Sequence, residues 1–146
     1  MKNDLVIKSN NWEDIDINDT FFDSLRKDYE NFNKWLIEKC INTNRKFYYV
    51  KDKTLKGICI YKLESDIYDM NGKIMKLCTF KTKPNLGISD KLYYVFINTC
   101  IRENVNWVYF TTLYKKDLIL FFEKRGFEKY YKIKDDTSEL IYRLKL

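Results

Sequence analysis

The sequence predicts an α/β fold, one domain over residues 1–146 with a mixed central sheet and helices on both faces. Three observations carry the prediction. Hydrophobic residues make up 45% of the 146-residue chain and charged residues 33%, enough for a buried core under a soluble surface. The apolar period switches repeatedly between helical and strand-like spacing, in the order β, α(α), ββ, β, α, β, α, β, β. One stretch, from Ile74 to Thr111, reads as strand, loop, helix and strand, the only convincing parallel crossover in the chain.

Leu5-Val6-Ile7 reads as a short first strand, followed by a polar connector through Asp19. Thr20 can cap a helix whose Asp23 sits three residues on, as in a capping box. Phe22, Leu25, Tyr29, Phe32, Leu36 and Cys40 then recur at spacings of three and four, giving one apolar face over one helix or two. Phe47–Val50 and Ile58–Tyr61 form a hairpin across the polar turn at Asp52-Lys53-Thr54. Asn71-Gly72 is a favoured tight-turn dipeptide, because both residues tolerate positive φ, and it leads into a strand over Ile74–Thr82. Past Pro84 and Gly87, the residues Leu92, Val95, Phe96, Thr99 and Cys100 line a helix that Asn104 closes. Trp107–Thr111 is continuously apolar, as strands buried on both faces are. Leu118, Phe121 and Phe122 mark a last helix, stopped by Gly126 where a left-handed residue is needed. Phe127–Ile133 and Leu140–Leu146 supply two final strands.

Composition narrows the chemistry. The chain contains no His, which removes Ser-His-Asp and Cys-His nucleophile systems, the H-E-x-x-H zinc site and His-ligated haem. Any reaction must run on carboxylates, Lys, Tyr, Ser/Thr, Cys, backbone amides or water, and no metal is expected. The formal charge is +6 and the pI near 9.0, which suits anionic partners such as cofactor phosphates or nucleic acid, although acids are interspersed with the Lys residues throughout. Cys40, Cys59, Cys78 and Cys100 lie far apart in apolar contexts and read as buried thiols of a reducing compartment. No signal-like apolar run follows Met1, and no stretch approaches the ~18 apolar residues of a membrane span. These features predict a soluble, cytoplasmic protein without membrane attachment.

Two segments could carry chemistry. Lys83-Pro84-Asn85-Leu86-Gly87-Ile88-Ser89-Asp90 joins a strand to a helix, where successive backbone N–H groups and small residues let a pyrophosphate approach. Phe121-Phe122-Glu123-Lys124-Arg125-Gly126-Phe127 reads first as a helix end, with Lys124 and Arg125 complementing the dipole. Taken together and in this order, they resemble the GNAT N-acetyltransferase superfamily, in particular a divergent bacterial subgroup. There a strand enters a Q/R-x-x-G-x-G/A pyrophosphate loop, and a later strand is followed by N-x-x-A-x-x-F/L-Y-x-K-x-G-F. The second segment matches the end of that pattern, Gly87-Ile88-Ser89-Asp90-Lys91-Leu92 matches the glycine pair and helix start, and the element order fits from about Leu5 to Leu146. Four positions depart from the family, one of them Leu118, which stands at the Ala. Pro84 stands at the Q/R position in an ungapped alignment, Lys115 at the Asn, and Phe122 at the Tyr that often protonates the leaving thiolate.

The resemblance implies a single GNAT-like domain that moves an acetyl group from acetyl-CoA directly to a primary amine. It implies that Phe80, Lys81 and Thr82 of the first central strand hold the thioester and pantetheine arm through main-chain N–H groups. Gly87, Ile88, Ser89 and Asp90 would hold the pyrophosphate, and Phe122 and Lys124 would also face the cofactor. Glu64 is the candidate general base and Tyr114 the candidate acid replacing the missing Tyr. The acceptor implied is an amine on a small molecule, a protein or an aminoacyl-tRNA, and the family also allows a homodimer. A contrasting expectation is a catalytically degenerate GNAT-like module that binds a partner or nucleic acid.

Overall fold

The computed structural model describes residues 5–134 and 137–146. Its strands are β1 (Ile7–Ser9), β2 (Lys46–Lys51), β3 (Leu55–Ile67), β4 (Met70–Thr82), β5 (Trp107–Thr112), β6 (Glu128–Ile133) and β7 (Leu140–Lys145). The helices are α1 (Asp23–Asp28), α2 (Phe32–Trp35), α3 (Ile88–Arg102) and α4 (Lys116–Glu123), and α2 continues as a π-helical turn over Leu36–Ile41. The seven strands form one mixed sheet in the order β1-β2-β3-β4-β5-β7-β6. Its described parallel ladder joins Ile74, Met75 and Lys76 of β4 to Trp107, Val108 and Tyr109 of β5. The chain divides into two compact units, one of residues 1–61 and 79–97, the other of 62–78 and 98–146.

In the first unit, aromatic side chains fill the space between the helical segment and the strands. Phe22 meets Phe21 and Phe32 at 5.5 Å, and Trp12 stacks on Phe47 at 3.8 Å. The expected Thr20 capping box is replaced by Asp19, whose Oδ1 accepts the Phe21 amide at 2.8 Å and opens a 3-10 turn over Thr20–Phe22. The other Asp19 oxygen accepts the Leu55 amide at 3.0 Å, while Asp23 pairs with Arg26 at 2.9 Å. A carboxylate able to satisfy a neighbouring and a distant amide at once outcompetes a hydroxyl that can serve one.

At Gly57, β3 packs against the first turns of α3. A Cβ placed there would lie 3.0 Å from Ile88 Cγ2 and 3.4 Å from Thr82 Cγ2. Gly57→Val is therefore expected to force the first turn of α3 outward at about 1–3 kcal/mol. Thermal denaturation should show a fall of at least a few degrees; an unchanged melting temperature would refute the close packing.

In the second unit β5 is buried on both faces. Tyr109 joins a cluster with Met70, Ile74, Tyr130 and Ile141, while Phe110 packs on Phe122, Phe127 and Tyr142. The end of α4 follows the sequence closely. Gly126 takes φ +94°, the Phe127 amide reaches back to the Phe122 carbonyl at 3.2 Å, and the two rings meet at 5.1 Å. That combination of bond and ring contact is a Schellman cap. Asn104, at φ +57°, closes α3 in the same manner.

The turn between β3 and β4 differs from expectation. It falls on Tyr68-Asp69, with φ +49° and +59°, and Asn71-Gly72 lies inside β4. Gly72, at φ +96°, leaves room for Asn106 instead, whose Oδ1 lies 2.4 Å from where a Cβ would stand. That oxygen accepts the Lys73 amide at 2.9 Å, and the Asn106 amide returns a bond to the Lys73 carbonyl at 2.7 Å. The glycine's freedom is spent on close approach of a neighbouring segment, not on reversing the chain.

Candidate functional site

Of the residues expected to hold a cofactor, Phe80–Thr82 and Gly87–Asp90 fall at the exit of β4 and the start of α3, within the first unit, and Phe122 and Lys124 in the second. Asn85 and Gly87 both adopt positive φ, +64° and +67°, and turn the chain into α3 at Ile88. A Cβ on Gly87 would meet nothing within 4 Å, so the turn is open on that side. Ile88 is buried, which anchors the first turn, and only its main chain can serve a ligand. Ser89 lies inside the first turn of α3, with its hydroxyl 2.5 Å from that of Thr82. This bond ties the end of β4 to the start of the helix. Asp90 is exposed in the same turn, where its charge complements the helix dipole.

Phe80 and Lys81 are half-buried. The Lys81 ammonium donates to the Phe21 carbonyl and, at 2.7 Å, to Ser24 Oγ, and stands 4.8 Å above the Phe21 ring. Burial, followed by the nearby Lys83 charge, holds its pKa below the usual lysine value. The Lys81 side chain is thus committed to the 3-10 turn at Phe21 and the first turn of α1 at Ser24, which leaves the main chain as its ligand-facing part.

The second unit holds the remaining candidates. Glu64 lies within β3, three residues before its end, and its side chain is 21% exposed. It accepts a hydrogen bond from the Tyr109 phenol on Oε1, and Lys62 Nζ stands 3.1 Å from Oε2. Burial works to raise its pKa, but the phenol and the lysine outweigh burial and hold the carboxyl below its ordinary value. Tyr109 is displaced the other way. Burial, reinforced by the Glu64 carboxylate, pushes its phenol far above the usual tyrosine range, so it stays a donor. Lys76, on β4, lies 6.0 Å from the Tyr109 ring centre and is held below the ordinary lysine pKa, chiefly by burial.

The structure therefore gives Glu64 a phenol partner that the sequence did not single out. Tyr114 stands 74% exposed between β5 and α4, and Lys124 is exposed just past α4. Phe122 has no exposed surface, and its ring meets Phe110, Phe121 and Phe127. The signal for Tyr109 was a lone tyrosine in an apolar strand, a phenol whose O–H must find a partner when buried. Its partner on β3 could not be read without the register. Cys40, Cys59 and Cys100 are buried thiols, Cys78 is half-buried, and burial pushes the Cys100 thiol up to about 12. Among the described residues, no three His, Cys, Asp or Glu side chains are grouped to hold a metal, and no helix is long and apolar enough to cross a membrane.

No protein-family model matches the chain, and neither does any curated protein. Solved structures do. An acetyltransferase of the GNAT family from Staphylococcus aureus Mu50 superposes with a TM-score of 0.69 at 18% identity, over 98% of this chain and 99% of that one. An acetyltransferase from Streptococcus agalactiae 2603 gives 0.64 at 18%, over 97% and 98%. The NatC complex, solved with Gag peptide and CoA bound, gives 0.62 at 17%, over 99% of both chains. At these identities the likeness establishes the fold.

Proposed function

We propose that this chain, which has the fold of the GNAT acetyltransferases, transfers an acetyl group from acetyl-CoA to a primary amine. The observation that carries the reading is the open turn at Asn85–Gly87 feeding directly into the 15-residue helix α3. Two positive-φ residues and an unobstructed Gly87 present the amides of Gly87, Ile88 and Ser89 to an anion, supported by the helix dipole. Asp90 would contribute its amide there. These residues fit a pyrophosphate, and the main-chain N–H groups of Phe80, Lys81 and Thr82 fit the pantetheine arm and acyl carbonyl. The NatC likeness, a CoA-bound neighbour, supports the same cofactor.

Acetyl-CoA supplies an acyl thioester, so no acyl-enzyme is required of the chain. Glu64 is the proposed proton acceptor. An amine nitrogen loses its basicity as the C–N bond forms, and an ionised carboxylate takes its proton. The C–S bond breaks and the electron pair leaves with sulfur. Tyr114 is the proposed donor to that thiolate, but its contribution is small. A thiolate of pKa about 8.5 departs without help. Lys124, exposed beside the α4 cap, adds a positive charge for an anionic cofactor. The buried Phe122 ring supports a second reading, a binding module that has lost the family's acid.

Gly87→Asn tests the cofactor assignment. Asn tolerates positive φ, where a β-branched residue would strain the turn, yet it places a side chain in the open space above the amides. Calorimetry should show acetyl-CoA affinity reduced about tenfold, ~1.4 kcal/mol, at a nearly unchanged melting temperature. Unchanged affinity would remove the loop from the site. A parent protein that binds no acetyl-CoA would remove the acetyl-transfer reading, and binding without turnover of any amine would favour the binding module.

A further inference from the structure

We propose that Tyr109 is a positioning residue for acyl transfer, its phenol on β5 fixing the Glu64 carboxylate of β3 as the proton acceptor. The proposal rests on the acetyl-transfer reading and on Glu64 as its base. Tyr109 is 1% exposed, enclosed by Met70, Ile74, Tyr130 and Ile141, with the Tyr68 ring edge-on at 5.5 Å. A ring so enclosed cannot swing away, so its O–H has one direction, and Glu64 Oε1 stands there. Lys62 engages the other oxygen, Oε2. Both carboxylate oxygens are thereby pinned by different partners, and each keeps a second lone pair for a substrate N–H or a water. A flexible carboxylate on a strand becomes an acceptor of fixed orientation, which is what proton removal at a defined nitrogen requires.

Tyr109 on β5, Lys62 on its own strand and Lys76 on β4 act on Glu64 directly; Cys78 on β4 acts on Lys76 and Tyr109, Tyr68 in the β3–β4 turn on Tyr109, and Lys134 beyond β6 on Lys76. The charges of Lys62 and Lys76 favour the ionised carboxylate. As the amine nitrogen bonds to the acyl carbon and the C–S bond breaks, the nitrogen's proton passes to Glu64. Tyr109 keeps its own proton throughout. Glu64 then releases the proton to the CoA thiolate or to water.

Tyr109→Phe removes the hydroxyl and leaves the ring. The Glu64 carboxyl is titrated by carbon NMR in parent and variant, beside kcat and KM for acetyl-CoA against pH. The expected result is a Glu64 midpoint raised by about one unit, an acid limb of kcat moved by the same amount, kcat lower about tenfold, and KM unchanged. In a Glu64→Gln background, Tyr109→Phe should cost almost nothing further, since the pair acts as a unit. Equal losses in both backgrounds would overturn the proposal, as would an unmoved Glu64 midpoint. A shifted midpoint with an unmoved acid limb in an active enzyme would also overturn it, while leaving acetyl transfer intact. A parent that neither binds nor turns over acetyl-CoA defeats the underlying reading, and calorimetry on the parent alone reveals that case.

Discussion

Glu64→Gln is expected to lower acetyl transfer roughly 10²–10⁴-fold, with acetyl-CoA affinity unchanged, in an assay of CoA release at neutral pH. The amide still accepts from Tyr109, so the strand keeps its shape and only the proton acceptor is lost. The pH dependence has a defined sign. Glu64 titrates below its ordinary value in the folded chain, so the pair with Lys62 and Tyr109 stabilises the fold above the ordinary carboxylate range. That contribution disappears as the pH falls through the folded value. The melting temperatures of parent and variant should therefore converge toward acid pH. A variant within tenfold of the parent rate would show that Glu64 is not the base.

Phe122→Ala should produce the largest loss of stability, about 3–5 kcal/mol, or roughly 10 °C or more in melting temperature. The ring is fully buried, packs on Phe110 at 4.6 Å, and also forms the apolar contact of the α4 cap with Phe127. Removing it opens a cavity and unfastens the helix end together. Phe122→Tyr, by contrast, sends a hydroxyl into a cluster of phenylalanines, at about 1–3 kcal/mol if it stays unbonded. Denaturant unfolding distinguishes the two, and an alanine variant as stable as the parent would disprove the ring's structural role.

Much of this architecture was readable from local patterns. The element order, the β5 strand with Val108, Tyr109 and Phe110 buried in succession, and the Gly126 and Asn104 helix ends all depend on residues close in sequence. Periodicity and cap chemistry encode such features directly. The misplacements share a different cause. Asp19 displaced Thr20 because its second oxygen serves Leu55, 36 residues away, and Asn71-Gly72 yielded the turn to Tyr68-Asp69 because Gly72 answers to Asn106. The candidate site divides along the same line. The Gly87 turn is a local signal and was found. The Tyr109–Glu64 bond spans 45 residues and depends on register, so the sequence offered Glu64 without its partner.

The junction of Gly72 with Asn106 also bears on how this sequence can vary. Any Cβ at residue 72 would strike the Asn106 amide oxygen, which itself serves the Lys73 amide. Residue 72 is not free to change alone: a side chain there expels the Asn106 amide and the bond it makes to Lys73. The two behave as one coupled choice 34 positions apart, so a library randomising residues 71–73 with Asn106 held fixed would return glycine at 72. Releasing both positions together would open small alternatives at 106 and a redrawn start to β4.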